Sequence, residues 1–336
     1  MDLKTLTEIN APSGHEQAIR RFLLDELKKL GFAPVLDRMG NVVVVKEGMG
    51  DAPRKRVMVS AHMDEVGLIV TSATEDGYLR IAAAGGIDPR VLVSNRVTVG
   101  EDKLPGVIGA VPIHLQSAAE RKHVLSMDEL LVDIGAKNKD EAECKAPMGT
   151  YISFDTPYVE YGDGFACGKA FDDRVSCLSL LRLLQEELPV DLVACFVSEE
   201  EVGCRGAKGA AFQQEPDIGI VLEGTTCNDL GDVPETAHVC EAGQGVAVSF
   251  MDGASIANRA LFRKALDVAK QENIPHQVKH SVSGGNDGGA IQRAREGVPV
   301  VVLSVPCRYI HSPSSVVKLS DVESQFALVK ALVKAL

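Results

Sequence analysis

The chain has 336 residues, of which 45% are hydrophobic, so it can bury the core of two domains or of one large domain with an insertion. Its formal net charge of -12 excludes a nucleic-acid backbone or an anionic membrane as the main partner, because both would repel it at long range. The eight cysteines form no CxxC pair, so the sequence suggests neither a structural zinc site nor a disulfide framework.

The sequence also lacks the segments that direct a chain into or across a membrane. No apolar run approaches the roughly 18 residues that a membrane helix requires. The first residues, MDLKTLTEINAPSG, lack the basic and apolar parts of a signal peptide. We therefore expect a cytoplasmic protein whose cysteines are mostly buried thiols in a reducing compartment.

Helices and strands are predicted to alternate on both sides of the middle of the chain. Residues 16–30 place apolar side chains three or four positions apart and stop at Gly31, which predicts a helix. Further helical patterns occupy residues 174–188, 255–271 and 321–336. In the last of these, Ser320 and Glu323 are predicted to form a capping box. Runs of β-branched residues predict buried strands at 42–45, 56–62, 192–197, 219–222 and 299–305.

This alternation predicts a layered α/β domain with a mixed central sheet flanked by helices. Residues 72–160 differ, because they contain short strand-like pieces separated by Gly and Pro, with one weak helical pattern at 127–132. They are predicted to form a small β-rich, barrel-like domain. Since the α/β pattern continues on both sides, we expect this domain as an insertion into a discontinuous domain of residues 1–71 and 161–336.

Acidic residues and histidines follow several of the predicted strands. In an open α/β sheet, residues that handle ligands collect where strands end, in a crevice at the carboxyl edge. One further acid, Asp172, lies in the turn GKAFDDR, which opens the helix at 174. The residues at the strand ends are His62, Asp64, Glu199, Glu200, Glu201, Glu223 and His311.

Two histidines and three carboxylates are the ligand set that two divalent ions about 3.5–4 Å apart need when one carboxylate bridges them. Each ion then takes one histidine and one further carboxylate, and open positions remain for water and substrate. Neighbouring glutamates at a strand end point in different directions. One of them can therefore bind metal while the other, as general base, takes a proton from water and returns it to a leaving amine. Asp64 lies two residues after His62 and can accept its imidazole N–H, which fixes the tautomer.

Seven motifs follow one another along essentially the whole chain. With them the sequence resembles the TET-type, or glutamyl, aminopeptidases of peptidase family M forty-two, whose catalytic domain carries an inserted β-rich dimerisation domain. The resemblance implies a dinuclear metallo-aminopeptidase, a hydrolase that uses zinc, cobalt or manganese to release N-terminal residues from peptides. It also implies dimers that assemble into a hollow dodecamer. The motifs are INAPSGHE, AHMDEVG, GKAFDDR, EEVGCRGA, EGTT, SGGNDGGAIQ and RYIHSP.

The resemblance implies a role for each candidate site residue. Asp172 matches the bridging carboxylate, and Glu200, the first Glu of the EEVG motif, matches the catalytic base, with Asp64 beside it as the second candidate catalytic residue. Glu223 stands where Asp is common in the family, and Glu199 is expected to be a bystander. The peptide bond after Asp172 is often cis in the family. The five implied metal ligands are His62, Asp172, Glu201, Glu223 and His311.

Two other functions remain compatible with these residues. Related two-metal enzymes act as carboxypeptidases or as N-acyl amino acid deacylases, and Glu223 suits them as well. Alternatively, the chain is a non-catalytic, metal-binding oligomeric scaffold, although such a scaffold has no need of Glu200. The motif SGGNDGGA lacks the lysine of a phosphate-binding loop, so we expect a turn that lines the substrate pocket, with Asp287 near it.

Overall fold

The structure is a computed structural model that describes residues 2–282 and 284–336. Within these residues the chain forms an eleven-stranded sheet and a separate closed barrel of six strands. The barrel lies between two parts of the chain that both contribute strands to the large sheet. The predicted fold class, a layered α/β domain with a mixed sheet and an inserted β-rich barrel, is confirmed.

Four parallel strands form the centre of the large sheet, in the order β12 (Asp191–Val197), β3 (Arg56–His62), β13 (Ile218–Cys227) and β16 (Val300–Arg308). Their residues are almost continuously buried, which is why they read as apolar runs in the sequence. The other strands of this sheet are β1 (Val35–Leu36), β2 (Val42–Lys46), β10 (Val159–Tyr161), β11 (Phe165–Gly168), β14 (Val246–Ser249), β15 (His276–Val278) and β17 (Ser315–Lys318).

Helices cover both faces of the sheet. On β3, Val57 and Val59 belong to one apolar cluster and Met58 to another, because successive side chains point to opposite faces. The first cluster includes residues of α2 (Gln17–Lys29), α4 (Phe171–Leu183), α6 (Arg259–Gln271) and α8 (Leu319–Lys334). The second includes residues of α5 (Arg205–Gln214) and α7 (Asp287–Gln292). The remaining helices are α1 (Leu3–Thr7) and α3 (Lys139–Lys145).

The four helices predicted from apolar periodicity are present as α2, α4, α6 and α8, with ends that differ by a few residues. The capping box predicted for α8 is wrong. That helix begins at Leu319, so Ser320 lies inside its first turn, and its N-cap residue Lys318 makes no capping contact. Glu323 instead binds the Arg182 guanidinium, with N–O distances of 2.7 and 2.8 Å.

The barrel has its own apolar core. Its strands are β4 (Gly67–Ala73), β5 (Leu79–Ala84), β6 (Arg96–Val99), β7 (Leu104–Gly109), β8 (Leu131–Asp133) and β9 (Tyr151–Phe154). The helix predicted at 127–132 is wrong, because a single 3-10 turn at Met127–Glu129 leads into β8. Ser126 and Glu129 cap that turn, and this local signal resembled the start of a longer helix. The domain boundaries at residues 72 and 160 remain predictions.

Two further expectations concern the membrane and the cysteines. Among the helices in the described ranges, none combines the length and the apolar character that crossing a membrane requires. All eight cysteines are free thiols, and five of them are buried, which agrees with the expectation that most are buried thiols.

Candidate metal centre

The candidate ligands come from the carboxyl edge of the four central strands. His62 is the last residue of β3, and Glu223 lies in β13, opposite Ser304 of β16. Glu201 follows β12, and His311 follows β16 in a turn where its φ is 58°. Because these strands are parallel, their carboxyl ends meet at one edge of the sheet, as the sequence indicates. A fifth ligand, Asp172, enters from the start of α4.

Asp172 lies between the two histidines. Its Oδ1 is 3.3 Å from His62 Nε2, and its Oδ2 is 3.4 Å from His311 Nε2. Glu223 Oε2 lies 3.6 Å from the same nitrogen of His62, and Glu201 Oε2 lies 3.2 Å from that of His311. The structure thus brings the five residues together as two groups, each with one histidine and one glutamate, that share the two oxygens of Asp172.

Buried negative charge dominates this cluster. Burial raises the pKa of Glu201 and of Glu223 well above the usual range, and neighbouring carboxylates raise it further. One carboxylate oxygen of each, Oε1, is buried without a hydrogen-bond partner. Such oxygens are costly unless a cation or a proton satisfies them. The donor set of imidazole nitrogen and carboxylate oxygen therefore fits divalent ions such as zinc, cobalt or manganese.

The two histidines are the groups of this cluster that carry positive charge when protonated. Burial opposes protonation of His311, but the adjacent Asp172 and Glu201 outweigh it and raise its pKa to about 9. The pKa of Asp172 shifts downward. Burial raises it, but hydrogen bonds from both histidines lower it by more. A metal ion binds neutral imidazole, so its binding at neutral pH displaces a proton from His311.

Asp64 links the histidine to the pair of glutamates. Its side chain accepts hydrogen bonds from the backbone N–H groups of Glu200, at 3.1 Å, and Glu201, at 3.2 Å. It also accepts the Ser13 hydroxyl at 2.6 Å, and its Oδ1 lies 3.4 Å from His62 Nδ1. Burial alone would raise the pKa of Asp64, but these hydrogen bonds lower it. The carboxylate is therefore ionised and holds the loop after β12 in place.

The side chain of Glu200 does not lie within 4.0 Å of the histidine Nε2 atoms that contact Asp172, Glu201 and Glu223. Its Oε1 is 3.4 Å from Cys204 Sγ, and an oxygen of Asp287 lies close to both groups. Burial raises the pKa of Glu200, and the charges of Asp172 and Asp64 raise it further, which brings a carboxylate closer to the range useful for proton transfer. Glu199 instead forms a 3.2 Å ion pair with Arg205 away from this cluster.

Sequence reasoning missed a buried ion pair beside the ligands. Lys169 Nζ lies 2.8 Å from both carboxylate oxygens of Glu65, and each residue is at most 3% exposed. Glu65 also accepts the backbone N–H of Ala11 at 2.8 Å. Their sequence positions gave one signal for this pair. Glu65 lies in the motif AHMDEVG with His62, and Lys169 lies in the motif GKAFDDR with Asp172. The peptide bond between Asp172 and Asp173 is cis, as the family resemblance implies.

A cavity of about 300 Å³ opens onto the cluster. Gly284, Gly285 and Asn286 form part of its wall, as predicted for the motif SGGNDGGA, whose Ser283 lies outside the described residues. Asp287 begins α7 and is 1% exposed, so it lies beside Glu200 and not on the cavity wall. A larger groove of about 800 Å³ over α5 and α7 contains none of the five candidate ligands. The smaller cavity is therefore the candidate substrate site.

Comparison with known proteins identifies relatives over the full length of the chain. A family model described as M42 glutamyl aminopeptidase matches residues 40–328. A lysyl aminopeptidase of Pyrococcus furiosus is 33% identical, over 99% of this chain and 96% of its own length. A glutamyl aminopeptidase of Lactococcus lactis subsp. cremoris is 32% identical, over 99% of this chain and 95% of its own.

Among solved structures, the TET1 peptidase of Pyrococcus horikoshii, described as able to assemble into a tetrahedron or a large octahedral shell, superposes with a TM-score of 0.87. It is 32% identical, over 99% of this chain and 98% of its own.

Proposed function

This chain belongs to the M42 glutamyl aminopeptidase family, and from that premise we propose that it removes N-terminal residues from peptides at a centre of two divalent ions. The observation that supports the proposal most is the position of Asp172, with one carboxylate oxygen facing each histidine. A carboxylate placed in this way can bridge two ions. His62 and Glu223 would complete one site, and Glu201 and His311 the other.

The chain's own residues supply the proton transfers and the positioning. Two bound divalent ions would acidify water and polarise the scissile carbonyl. Glu200, which lies outside the ligand set, accepts the proton of the attacking water and passes it to the leaving amine. The Asp64 carboxylate accepts hydrogen bonds from the backbone N–H groups of Glu200 and Glu201. One side chain therefore holds the backbone of both the base, Glu200, and a metal ligand, Glu201, in place.

The relatives favour this function over its alternatives. A carboxypeptidase, a deacylase or a metal-binding scaffold would use the same ligands, but the curated relatives cited above are named aminopeptidases. The lysyl and the glutamyl enzymes are 33% and 32% identical to this chain, so it is about equally similar to relatives named for substrates of opposite charge.

Metal removal and substrate choice test this function together. Metal-stripped protein is expected to be inactive on aminoacyl anilides, and activity should return on reloading with zinc, cobalt or manganese, because the ligand set suits each ion. The rate of anilide cleavage is measured for each reloaded sample. The matched control is the N-acetylated form of each anilide, which an aminopeptidase does not cleave. Cleavage of N-acyl amino acids by protein that spares the aminoacyl anilides would assign a deacylase instead.

We propose further that the barrel carries a dimer contact and that dimers build a closed dodecameric shell. Between β7 and β8 the barrel exposes four apolar side chains, Val111, Ile113, Leu115 and Val124, at 59–69% of their surface. Exposed apolar side chains that come from one stretch of chain can form a contact with another protein. A tetrahedral shell contains about twelve copies related by closed symmetry, and the P. horikoshii relative is described with such a shape.

The molecular mass of the protein in solution measures this assembly directly. The wild-type protein is expected at the mass of about twelve chains, and the double substitution Ile113→Asp with Leu115→Asp should give smaller species, because it places charge in the apolar contact. Ile113→Val with Leu115→Met keeps the surface apolar and should retain the large species. A wild-type monomer at micromolar concentration would contradict the proposal. Light scattering after size-exclusion chromatography distinguishes these cases.

A further inference from the structure

Asp287 is a buried acid whose carboxylate oxygens have no partner. It begins α7 and is 1% exposed. In residues 2–282 and 284–336 it is the only acid with both side-chain oxygens buried and without a hydrogen-bond partner. The contrast is Asp252, 2% exposed, whose carboxylate accepts hydrogen bonds from two backbone N–H groups, both at 2.7 Å. Burying a carboxylate without partners is destabilising, so a proton or a cation is needed to engage Asp287.

Two other side chains that can bind metal lie next to Asp287. A carboxylate oxygen of Glu200, the Sγ of Cys204 and a carboxylate oxygen of Asp287 all lie within 4.8 Å of one another. The backbone N–H of Cys204 donates to the Glu200 carbonyl at 2.8 Å, and this turn brings the thiol to 3.4 Å from Glu200 Oε1. Bond lengths of about 2.0–2.3 Å to zinc place tetrahedral ligand atoms roughly 3.5 Å apart. Small rotations of the three side chains therefore let one ion contact all of them.

This cluster of Glu200, Cys204 and Asp287 offers a different donor set from the two-ion centre. The five candidate ligands of that centre supply imidazole nitrogen and carboxylate oxygen, whereas this cluster supplies one sulfur and two carboxylates. Zinc and cobalt accept both kinds of donor, while magnesium and calcium prefer oxygen alone. Burial and the neighbouring carboxylates raise the pKa of Cys204, so without an ion the thiol keeps its proton. A bound ion releases that proton to solvent.

The cluster lies between the substrate cavity and the groove over α5 and α7. Glu200 lines the cavity, Cys204 lines the groove, and Asn286 lines both. Cys204 is also partly exposed, so an ion in solvent can reach the thiol without passing the two-ion centre. An ion held by the thiol and Asp287 then has the Glu200 carboxylate as its third ligand.

We propose that Glu200, Cys204 and Asp287 bind an additional divalent ion, such as zinc, when metal is in excess, and that this ion inhibits the enzyme. The binding follows from the cluster itself, whereas the inhibition rests on the proposed aminopeptidase function, in which Glu200 is the base. A carboxylate that ligates a cation no longer accepts a proton from water. Activity is therefore expected to rise as the two-ion centre fills and to fall at higher zinc concentration.

Absorption of the cobalt-loaded protein tests the binding. A thiolate bound to Co²⁺ gives a charge-transfer band in the near ultraviolet, and none of the five candidate ligands of the two-ion centre is a cysteine. Wild-type protein titrated with excess cobalt is expected to show this band, and Cys204→Ala should abolish it. Asp287→Asn should require at least about 10-fold more cobalt, since it removes a charged ligand. Cys167→Ala makes the same change at another partly exposed thiol and should keep the band.

Two results of this titration would overturn the site. One is a wild-type protein without the band, and the other is a band that persists in Cys204→Ala. Circular dichroism checks that each variant is folded, and the two substitutions at Cys204 and Asp287 test the site independently of each other.

Zinc inhibition tests the consequence for activity. Each protein is compared with its own maximal rate of anilide cleavage during zinc titration. Excess zinc should lower wild-type kcat at least about 10-fold, because the base is engaged. In Cys204→Ala the zinc concentration for half inhibition should rise at least about 10-fold, whereas Cys167→Ala should match the wild type. If excess zinc does not inhibit, or inhibits Cys204→Ala at the wild-type concentration, the inhibitory role is overturned. If no anilide is cleaved at any zinc concentration, the proposed function is overturned, and the cobalt band still decides the site.

Discussion

Glu200→Gln is expected to lower kcat on an aminoacyl anilide by about 10²- to 10⁴-fold, the usual contribution of a general base, while the protein keeps its metal ions. The glutamine has nearly the same shape but cannot accept the proton. The Glu200 carboxylate lies beside Cys204 and Asp287, whereas Asp172, Glu201 and Glu223 face the histidine nitrogens. The measurement pairs steady-state kinetics with elemental analysis of the purified variant.

The neighbouring glutamate provides a matched control for this substitution. Glu199 pairs with Arg205, whose side chain is 59% exposed, so Glu199→Gln should leave both kcat and metal content near the wild-type values. Glu201→Gln, in contrast, should lose metal because Glu201 faces His311. If Glu200→Gln loses an ion and Glu201→Gln keeps both, the assignment of base and ligand is reversed.

Asp172→Asn should have the largest effect on metal content. Asparagine offers one neutral oxygen where Asp172 offers two that share a negative charge, and these face both histidines. Both ions should bind at least about 100-fold more weakly, since even changes to groups that only support a ligand weaken metal binding 10- to 100-fold. Activity should then be undetectable at metal concentrations that saturate the wild type. Calorimetric titration of metal-stripped protein with each divalent ion measures the affinity.

The adjacent Asp173 provides the control for this substitution. Comparing Asp173→Asn with Asp172→Asn tests whether the metal ions depend on Asp172 in particular or on either aspartate. Its Oδ2 accepts the backbone N–H of His62 at 3.2 Å, and the amide oxygen of Asp173→Asn can accept the same hydrogen bond. We expect that variant to retain both ions. If Asp172→Asn keeps both ions and Asp173→Asn loses them, the bridging ligand is Asp173 and not Asp172. Circular dichroism of both variants checks that each is folded.

The location of the site could be predicted because the positions of the buried strands along the chain, and the acidic residues and histidines at their ends, were both readable in the sequence. The strands are almost continuously apolar, and His62, Glu201 and His311 follow such runs, so one sheet edge had to collect them. The contacts of Asp64 with two backbone N–H groups were not predictable, because they depend on how the loop after β12 bends. The roles of these residues remain predictions.

Other features were missed because distant parts of the chain decide them. Lys279, which is 8% exposed and lines the substrate cavity, lies outside the motif SGGNDGGAIQ that follows it, so only the packing of β14 against β15 and β16 reveals its place. Likewise α8 starts at Leu319, where β17 ends, so the strand and not the Ser320 signal determines where the helix begins. Local patterns predict that elements exist more reliably than where they start.

The insertion also has a consequence for the order of folding. Strand β3 lies in the middle of the large sheet, yet both of its partners, β12 and β13, come after the barrel in the chain. During synthesis the ribosome therefore completes the barrel, whose strands pair among themselves, before β3 can acquire either partner. Contacts of such long sequence separation form slowly. The pocket around His62 is thus among the last parts of the molecule to assemble on a nascent chain.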